Sequence, residues 1–206
     1  MPKRDIAEQW LSLIQSRRSI RRYRPDPVPP EIIDRLLVAA NWAPSAHNKQ
    51  PWRFAVITNP EKKRDLARTM GTRLRQDLTA DGLAKDKIDR DVNRSFGRIT
   101  AAPLLVLVCL TLDDMDHYSD NRRRQFEMTM AVQSTAMAGQ NLLLAAHALG
   151  LGGCWMCAPL FCQDAVKQNL QLPSGWQPQS LIAVGYPDEK REKSRVSVTD
   201  LTLHFS

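Results

Sequence analysis

Apolar residues recur every three or four positions in several stretches of the chain, which is the spacing of an amphipathic helix. The spacing predicts helices over 6–16, 30–42 and 126–149, the last being the longest. Asp5 and Glu8 fit a capping box before the first helix, and Pro30 fits the first turn of the second. Further helices are expected after a cap at Asn59, across the charged region 73–98, and over 164–170.

Unbroken or alternating apolar runs predict the strands. Leu104–Leu110 is a continuous β-prone run, typical of a buried central strand. Residues 52–58 and 180–186 read as two more strands, and 152–156 as a short strand or turn. Turn-forming residues predict loops over 43–51 and 118–124. Few strands separated by long helices indicate one sheet flanked by helices, in an α+β or α/β fold.

The helix over 126–149 carries many Ala, Ser and Gly residues among its larger apolar ones and ends at Gly150. Small residues on several faces indicate close packing, so we expect a central or interface helix. The tail over 188–206 is charged and then partly apolar, which favours docking on a partner subunit.

The charge pattern is dominated by one short segment. The chain has 206 residues, 43% of them hydrophobic, enough for one globular domain. Its net charge is +7, and five arginines fall within Arg17–Arg24. Such a cluster repels itself unless an anion or solvent neutralises it, and arginine with Ser19 suits a phosphate. From the residues alone, a phosphate site, a nucleic-acid patch and a solvated basic arm all remain open.

The four cysteines favour a reducing setting. Cys154 and Cys157 have dithiol spacing, but no second close pair completes a zinc site, so we interpret them as buried apolar residues. No two histidines have metal-ligand spacing, and we expect no metal site. Met1–Asp5 lacks the apolar run of a secretion signal, and no stretch is long enough to span a membrane. We therefore expect a cytoplasmic protein with free thiols.

Familiar catalytic and nucleotide-binding motifs are missing from the sequence. It has no Gly-x-Ser-x-Gly elbow, no Walker loop and no Gly-x-Gly-x-x-Gly after a strand. His47 lies in the polar loop before a strand and could face a pocket, whereas His147 on the long helix is interpreted as structural.

Five segments in order resemble the FMN-dependent nitroreductase family. They are Arg17–Tyr23, Ala43–Trp52, Gln140–Ala146, Leu149–Trp155 and Ala183–Pro187. Met156–Trp176 is most similar to the reductase-like C-terminal domain of the glutamate ligase that builds the deazaflavin coenzyme. The resemblance implies one FMN-binding domain over 1–206 with 188–206 as an arm on the partner. The implied fold is α+β, a three-layer α/β/α sandwich around a mostly antiparallel sheet, in an interlocked homodimer.

The resemblance also implies a shared flavin site. It assigns the FMN phosphate to Arg17, Arg18, Ser19 and Arg21, with Arg195 returning from the tail. The isoalloxazine would lie along Pro44, Ser45, Ala46 and Asn48, with Gln50 near its polar edge. Gly152 and Gly153 would let the backbone approach the ring, and Arg98 is a further phosphate or ring candidate.

The implied reaction passes hydride from NAD(P)H through FMN to a small electron-poor acceptor, such as a nitroaromatic, quinone or enone, in ping-pong order. The flavin carries the chemistry, so no side chain is expected to be catalytic. Alternatives are an enzyme acting on a deazaflavin or a biosynthetic intermediate, and a non-enzymatic flavin or anion carrier. The implied partners are a second copy of the chain and a small molecule, with no nucleic acid and no membrane.

Overall fold

The computed structural model describes residues 3–205, with side chains from Asp5 onward. Its helices are α1 (Lys3–Ser16), α2 (Pro30–Asn41), α3 (Pro60–Ala80), α4 (Lys85–Ala101), α5 (Asn121–Ala148) and α6 (Gln163–Leu170). Its strands are β1 (Trp52–Ile57), β2 (Leu104–Leu110), β3 (Gly152–Met156) and β4 (Gln177–Gly185). Short 3-10 turns lie at Ala46–Asn48, Ala158–Cys162 and Val198–Leu201.

The four strands form one sheet in the order β1-β2-β4-β3, and every neighbouring pair is antiparallel. Val106 of β2 pairs with Val56 on one side and Ile182 on the other. The predicted central position of 104–110 is confirmed, because β2 lies inside the sheet and all its residues are buried. The two edge strands are β1 and β3, and the candidate site is positioned by the edge at β3.

Side-chain alternation along β2 divides the core into two layers. Leu104, Val106 and Val108 belong to a cluster with α2 and α5, and the intervening residues belong to a second cluster with α3, α4 and α6. Successive side chains of a strand point to opposite faces, so an all-apolar strand needs helices on both sides. The predicted three-layer sandwich is therefore confirmed.

Helix starts were the least accurate part of the sequence-based prediction. The capping box at Asp5 is wrong, because α1 already begins at Lys3 and Asp5 lies in its first turn. The loop over 118–124 is also partly wrong, since Asp120 caps α5 by accepting a hydrogen bond from the Arg123 N–H at 2.9 Å. Asn59 is confirmed as the cap of α3, accepting from the Lys62 N–H at 3.1 Å.

Other boundaries shifted by a few residues. The charged region 73–98 is helical, but it belongs to two helices, because the chain turns between α3 and α4 at Gly82 with a positive φ of 73°. The last strand begins at Gln177 rather than Ser180, and 152–156 is a strand.

The tail after β4 lies on the surface with its apolar side chains uncovered. Val196 is 66% exposed and Phe205 93% exposed, and Val198, Leu201 and Leu203 are similarly open. In residues 3–205, none of the helices has the length and apolar character needed to cross a bilayer.

Candidate functional site

The arginine segment (Arg17–Arg24) runs along the open edge of the sheet. Ser19 forms a parallel bridge with Gly153 of β3, and the Ile20 N–H donates to the Gly153 carbonyl at 3.1 Å. Ile20 itself is buried. An edge strand presents unpaired backbone groups, and here the segment pairs with some of them. The segment is therefore part of the folded body, unlike a free basic arm.

Tyr23 attaches the far end of the segment to β4. Its hydroxyl lies within hydrogen-bonding distance of the Ile20 carbonyl at 2.5 Å and the Ala183 carbonyl at 3.1 Å. Burial raises the pKa of this phenol far above its usual value, with further contributions from neighbouring charges. The Arg24 N–H donates to the Tyr186 carbonyl at 2.9 Å. Side-chain and backbone contacts thus fix the segment at both ends.

The guanidinium groups around Arg17 form a positive cluster. Burial lowers the pKa of Arg17, and the charges of Arg195 and then Arg18 lower it further. The tail therefore brings the charge of Arg195 near Arg17. The role of Arg195 at a phosphate stays a prediction. Across residues 3–205, no carboxylate forms an ion pair with Arg17, Arg18, Arg21 or Arg195. The Nε of Arg18 is buried without a hydrogen-bond partner.

Arg98 approaches the same region from α4. Burial raises the pKa of the Cys154 thiol on β3, while the charges of Arg21, Arg98 and Arg17 act in the opposite direction. The charges of three predicted arginines therefore act on one position of the edge strand, together with the opposing charge of Glu189. Cys157 is exposed, and its sulfur lies 3.0 Å from the Trp155 indole nitrogen that donates to it. Only Cys154 of this pair matches the predicted buried state.

His147, predicted to be structural, lies beside the cluster. Its Nε2 is 2.9 Å from the Ser16 hydroxyl at the end of α1. Burial lowers the pKa of His147, followed by the charges of Arg17 and Arg18. A histidine on a helix gives no sequence signal of such a neighbourhood, because the contact joins residues 131 positions apart.

Gly152 and Gly153 lie in close contact with other parts of the same chain. A Cβ on Gly152 would lie 2.6 Å from the Ile20 Cβ, and one on Gly153 would lie 2.7 Å from the Leu143 Cδ2. Both contacts are too short for a side chain. Gly152 is therefore required by packing within the chain itself, where it lets the arginine segment approach β3, whereas a side chain at Gly153 would need the end of Leu143 on α5 to move. Their approach to a flavin ring stays a prediction.

The second group of predicted residues lies in the loop from Pro44 to Gln50. The Gln50 N–H donates to the Ser45 hydroxyl at 3.0 Å, and the Ala46 N–H donates to the Ser134 hydroxyl on α5 at 3.3 Å. Asn48 and Gln50 have φ values of 54° and 49°. Non-glycine residues in this left-handed region are strained, and such strain concentrates at functional sites.

A cavity of about 540 Å³ adjoins this loop. Sequence reasoning missed two of its charged residues: Lys49 pairs with Asp116 at 2.9 Å, and Arg53 pairs with Asp114 at 3.2 Å. The first ion pair ties the loop to the segment after β2, and the second ties the start of β1 to the same segment. They involve residues that lie more than 60 positions apart, so no local pattern could have indicated them.

Within one chain, the loop and the end of α1, which precedes the arginine segment, contact α5 at positions far apart along the helix. The loop contacts α5 at Ser134, and the end of α1 contacts α5 at His147. These positions are thirteen residues apart, which is about 20 Å along a helix axis.

Comparison with known proteins decides the family. Residues 14–186 match the family model described as "Nitroreductase family". The chain belongs to the nitroreductase family. Among its relatives in the family, it is 32% identical over 183 residues to the "Putative NADH dehydrogenase/NAD(P)H nitroreductase" of Methanothermobacter thermautotrophicus, covering 87% of this chain and 78% of the relative. It is 29% identical over 192 residues to the "Putative NAD(P)H nitroreductase YfhC" of Bacillus subtilis, covering 91% and 90%.

Solved structures agree with this membership. A "BluB-like flavoprotein" from Clostridium difficile has a TM-score of 0.78 and is 25% identical, covering 95% of this chain and 98% of that one. A "putative nitroreductase in complex with fmn" from Desulfovibrio desulfuricans has a TM-score of 0.72 and is 28% identical, with 96% of both chains covered. The nitroreductase fold of this chain is thereby established.

Proposed function

We propose that this nitroreductase-family chain is an FMN-dependent oxidoreductase that takes hydride from NAD(P)H and passes it to a small electron-poor acceptor. The observation that carries the proposal is the positive cluster around Arg17, which has no carboxylate partner among residues 3–205. The structures and relatives named for FMN and NAD(P)H support the same cofactors.

The residues present fit a phosphate. A phosphate monoester carries nearly two negative charges and accepts several charge-assisted hydrogen bonds. The buried Nε of Arg18 lacks a partner, and Arg17 and Arg195 crowd each other. We assign the phosphate to Arg17, Arg18, Ser19 and Arg21, with Arg195 and Arg98 as the outer charges.

FMN, when bound, supplies the ring that exchanges hydride with donor and acceptor. The chain's own residues bind and orient it, and we assign no catalytic side chain. Donor and acceptor would use the same pocket in turn, which is a ping-pong order. The four cysteines are free thiols, which supports a reducing, cytoplasmic location.

We further propose a homodimer in which the loop from Pro44 to Gln50 of one subunit completes the site of the other. The separation of about 20 Å between the two groups of residues within one chain supports this arrangement. Exposed apolar side chains on α1 and the tail support it too, because Trp10 is 54% exposed and Phe205 93% exposed. The resemblance assigned the arm over 188–206 to the partner subunit, but its first residues stay on their own chain, because Asp188 and Glu189 bond to the backbone of Arg22 and Arg21. The apolar end of the arm, from Val196 onward, would lie on the partner subunit.

The phosphate assignment is tested by the double variant Arg17→Ala with Arg21→Ala. We expect FMN to bind at least about 100-fold more weakly, since two charge-assisted contacts are lost. Arg24→Ala is the matched control, because Arg24 pairs with Asp26 and stacks on Tyr186. Titration followed by flavin fluorescence measures both. Unchanged affinity in the double variant would show that the phosphate lies elsewhere.

Anaerobic mixing with NADH and NADPH separates the enzyme from its rivals. A reductase bleaches its yellow flavin band. A flavin carrier stays yellow, and an anion carrier has no flavin band to bleach. A nucleic-acid binder would be colourless and would bind DNA with a steep salt dependence.

The likeness of Met156–Trp176 to the deazaflavin-ligase domain suggests a more specialised enzyme as the second candidate. Titrating the purified protein with deazaflavin coenzyme tests it. A general reductase should bind that coenzyme weakly, and tight saturable binding would favour the specialised role.

A further inference from the structure

A buried carboxylate lies against the arginine segment. Glu189 follows β4, and its Oε1 accepts a hydrogen bond from the Arg21 backbone N–H at 2.7 Å. Its Oε2 pairs with Arg191, 2.7 Å from a terminal guanidinium nitrogen and 2.9 Å from Nε. The Glu189 side chain is 9% exposed and that of Arg191 is 46% exposed. The carboxylate therefore faces the segment, and its counter-charge faces solvent.

The segment needs such contacts, because it has no regular secondary structure between α1 and α2. Its backbone is fixed at separate points: by Gly153 at Ile20, by Asp188 at Arg22, and by Tyr186 at Arg24. At Arg21 the partner is a side chain, that of Glu189. Withdrawing a backbone N–H from water without a partner is costly, so this part-buried bond helps to fix where the chain runs at Arg21.

We propose that Glu189 is a positioning residue for the anion site: it holds the Arg21 backbone so that the side chains of Ser19 and Arg21 are presented to the phosphate. The inference rests on the proposed function. Glu189 occupies the Arg21 amide, so the phosphate is held by side chains and not by this amide. Arg191 neutralises the carboxylate, which reduces its repulsion of a phosphate nearby.

Two substitutions of Glu189 separate the effect of side-chain length from the effect of charge. Glu189→Gln keeps an acceptor oxygen at the same distance and removes the charge. Glu189→Asp keeps the charge but withdraws it by one carbon–carbon bond, about 1.5 Å, so a bond of 2.7 Å is lost. A positioning role requires a side chain long enough to bond to the Arg21 N–H, whereas a purely electrostatic role requires the negative charge.

The experiment measures dissociation constants of FMN and riboflavin for both variants by flavin fluorescence. We expect Glu189→Asp to bind FMN about 10-fold more weakly and Glu189→Gln to stay within about threefold of wild type. Riboflavin lacks the phosphate, so its affinity should stay within about twofold in both. Arg191→Ala is the control, because it leaves the bond to Arg21 in place and removes only the counter-charge of Glu189. It should bind FMN within about threefold of wild type, a smaller loss than in Glu189→Asp.

Amide hydrogen exchange of the flavin-free protein gives a second readout. The Arg21 amide should exchange faster in Glu189→Asp than in Glu189→Gln. Equal FMN affinity in both variants, a loss confined to Glu189→Gln, or an equal loss of FMN and riboflavin would each overturn the inference. A wild-type chain that binds no FMN would overturn the proposed function and the role of Glu189 with it. If the wild-type chain binds FMN but the Arg21 amide exchanges at the same rate in Glu189→Asp as in Glu189→Gln, the positioning role alone would be overturned.

Discussion

Burial separates the four thiols of the chain into two kinds. Burial raises the pKa of Cys109 to about 12, and it also raises the pKa of Cys154 and Cys162. Cys157 is exposed at the end of β3. The thiolate is the reactive form, so a raised pKa keeps a thiol protonated and inert near neutral pH.

We predict that iodoacetamide at about pH 8 modifies Cys157 first, because the three other thiols stay protonated and covered. Peptide mass spectrometry would locate the modification. In denaturant all four cysteines should react, and Cys157→Ser should remove the fast reaction from the folded protein. Labelling of Cys154 at the same rate as Cys157 would contradict the burial described for β3.

The amino-acid sequence alone could not distinguish the buried cysteines from the exposed one. The sequence indicated that Cys154 and Cys157 behave alike as buried apolar residues, yet only one of them is buried. The two lie three positions apart at the point where β3 ends and the chain enters the turn at Ala158–Cys162. A change of backbone direction decides the exposure of the second cysteine.

Close packing of α5 on the sheet depends on one helical glycine. A Cβ at Gly139 would lie 2.1 Å from the Trp155 ring on β3, so the indole occupies the space of the missing side chain. Gly97 on α4 is also in a helix interior, but nothing lies within 4 Å of its Cβ position. The two glycines therefore differ in tertiary surroundings and not in helical position.

We predict opposite effects for alanine at these glycines. Gly139→Ala should lower the free energy of unfolding by about 1–3 kcal/mol through overpacking against Trp155. Gly97→Ala should raise it by about 0.5–1 kcal/mol, because alanine is the better helix former. Urea denaturation measures both. If Gly139→Ala were as stable as wild type, α5 would not pack on β3 as described.

At the scale of elements, the sequence predicted the type of nearly every helix and strand. Leu104–Leu110 and the long helix were recognisable because their apolar patterns extend over many residues. The ends of the helices were less predictable. Asp5 was expected to cap a helix and Asp120 to lie in a loop, yet of these two only Asp120 caps a helix. A cap depends on where the preceding chain enters the helix, and spacing does not record this.

At the scale of the whole molecule, the first helix keeps a stripe of apolar side chains uncovered. Ile6, Trp10 and Ile14 recur every four residues on α1 and are 59%, 54% and 40% exposed. Such a stripe normally packs against another surface. In the proposed homodimer that surface is the partner subunit.

We predict that Trp10→Glu combined with Ile14→Glu makes the protein monomeric and weakens FMN binding, because the proposed site is shared between subunits. Sedimentation velocity and flavin titration measure the two effects. Val56→Glu is the control, since Val56 is 41% exposed on the edge strand β1. A monomeric wild type that binds FMN tightly would contradict the shared site.

The sequence by itself determined the elements, the two-sided core and the presence of a basic segment, because these follow from local periodicity and composition. Resemblance to a family added the cofactor and the assignment of Arg17 and Arg195. Only the tertiary structure decided which groups meet. It brought Arg195 to Arg17, filled the space beside Gly152 with Ile20, and placed Glu189 against Arg21. These contacts join distant parts of the chain, and the path of the backbone between them is fixed by packing and not by local sequence.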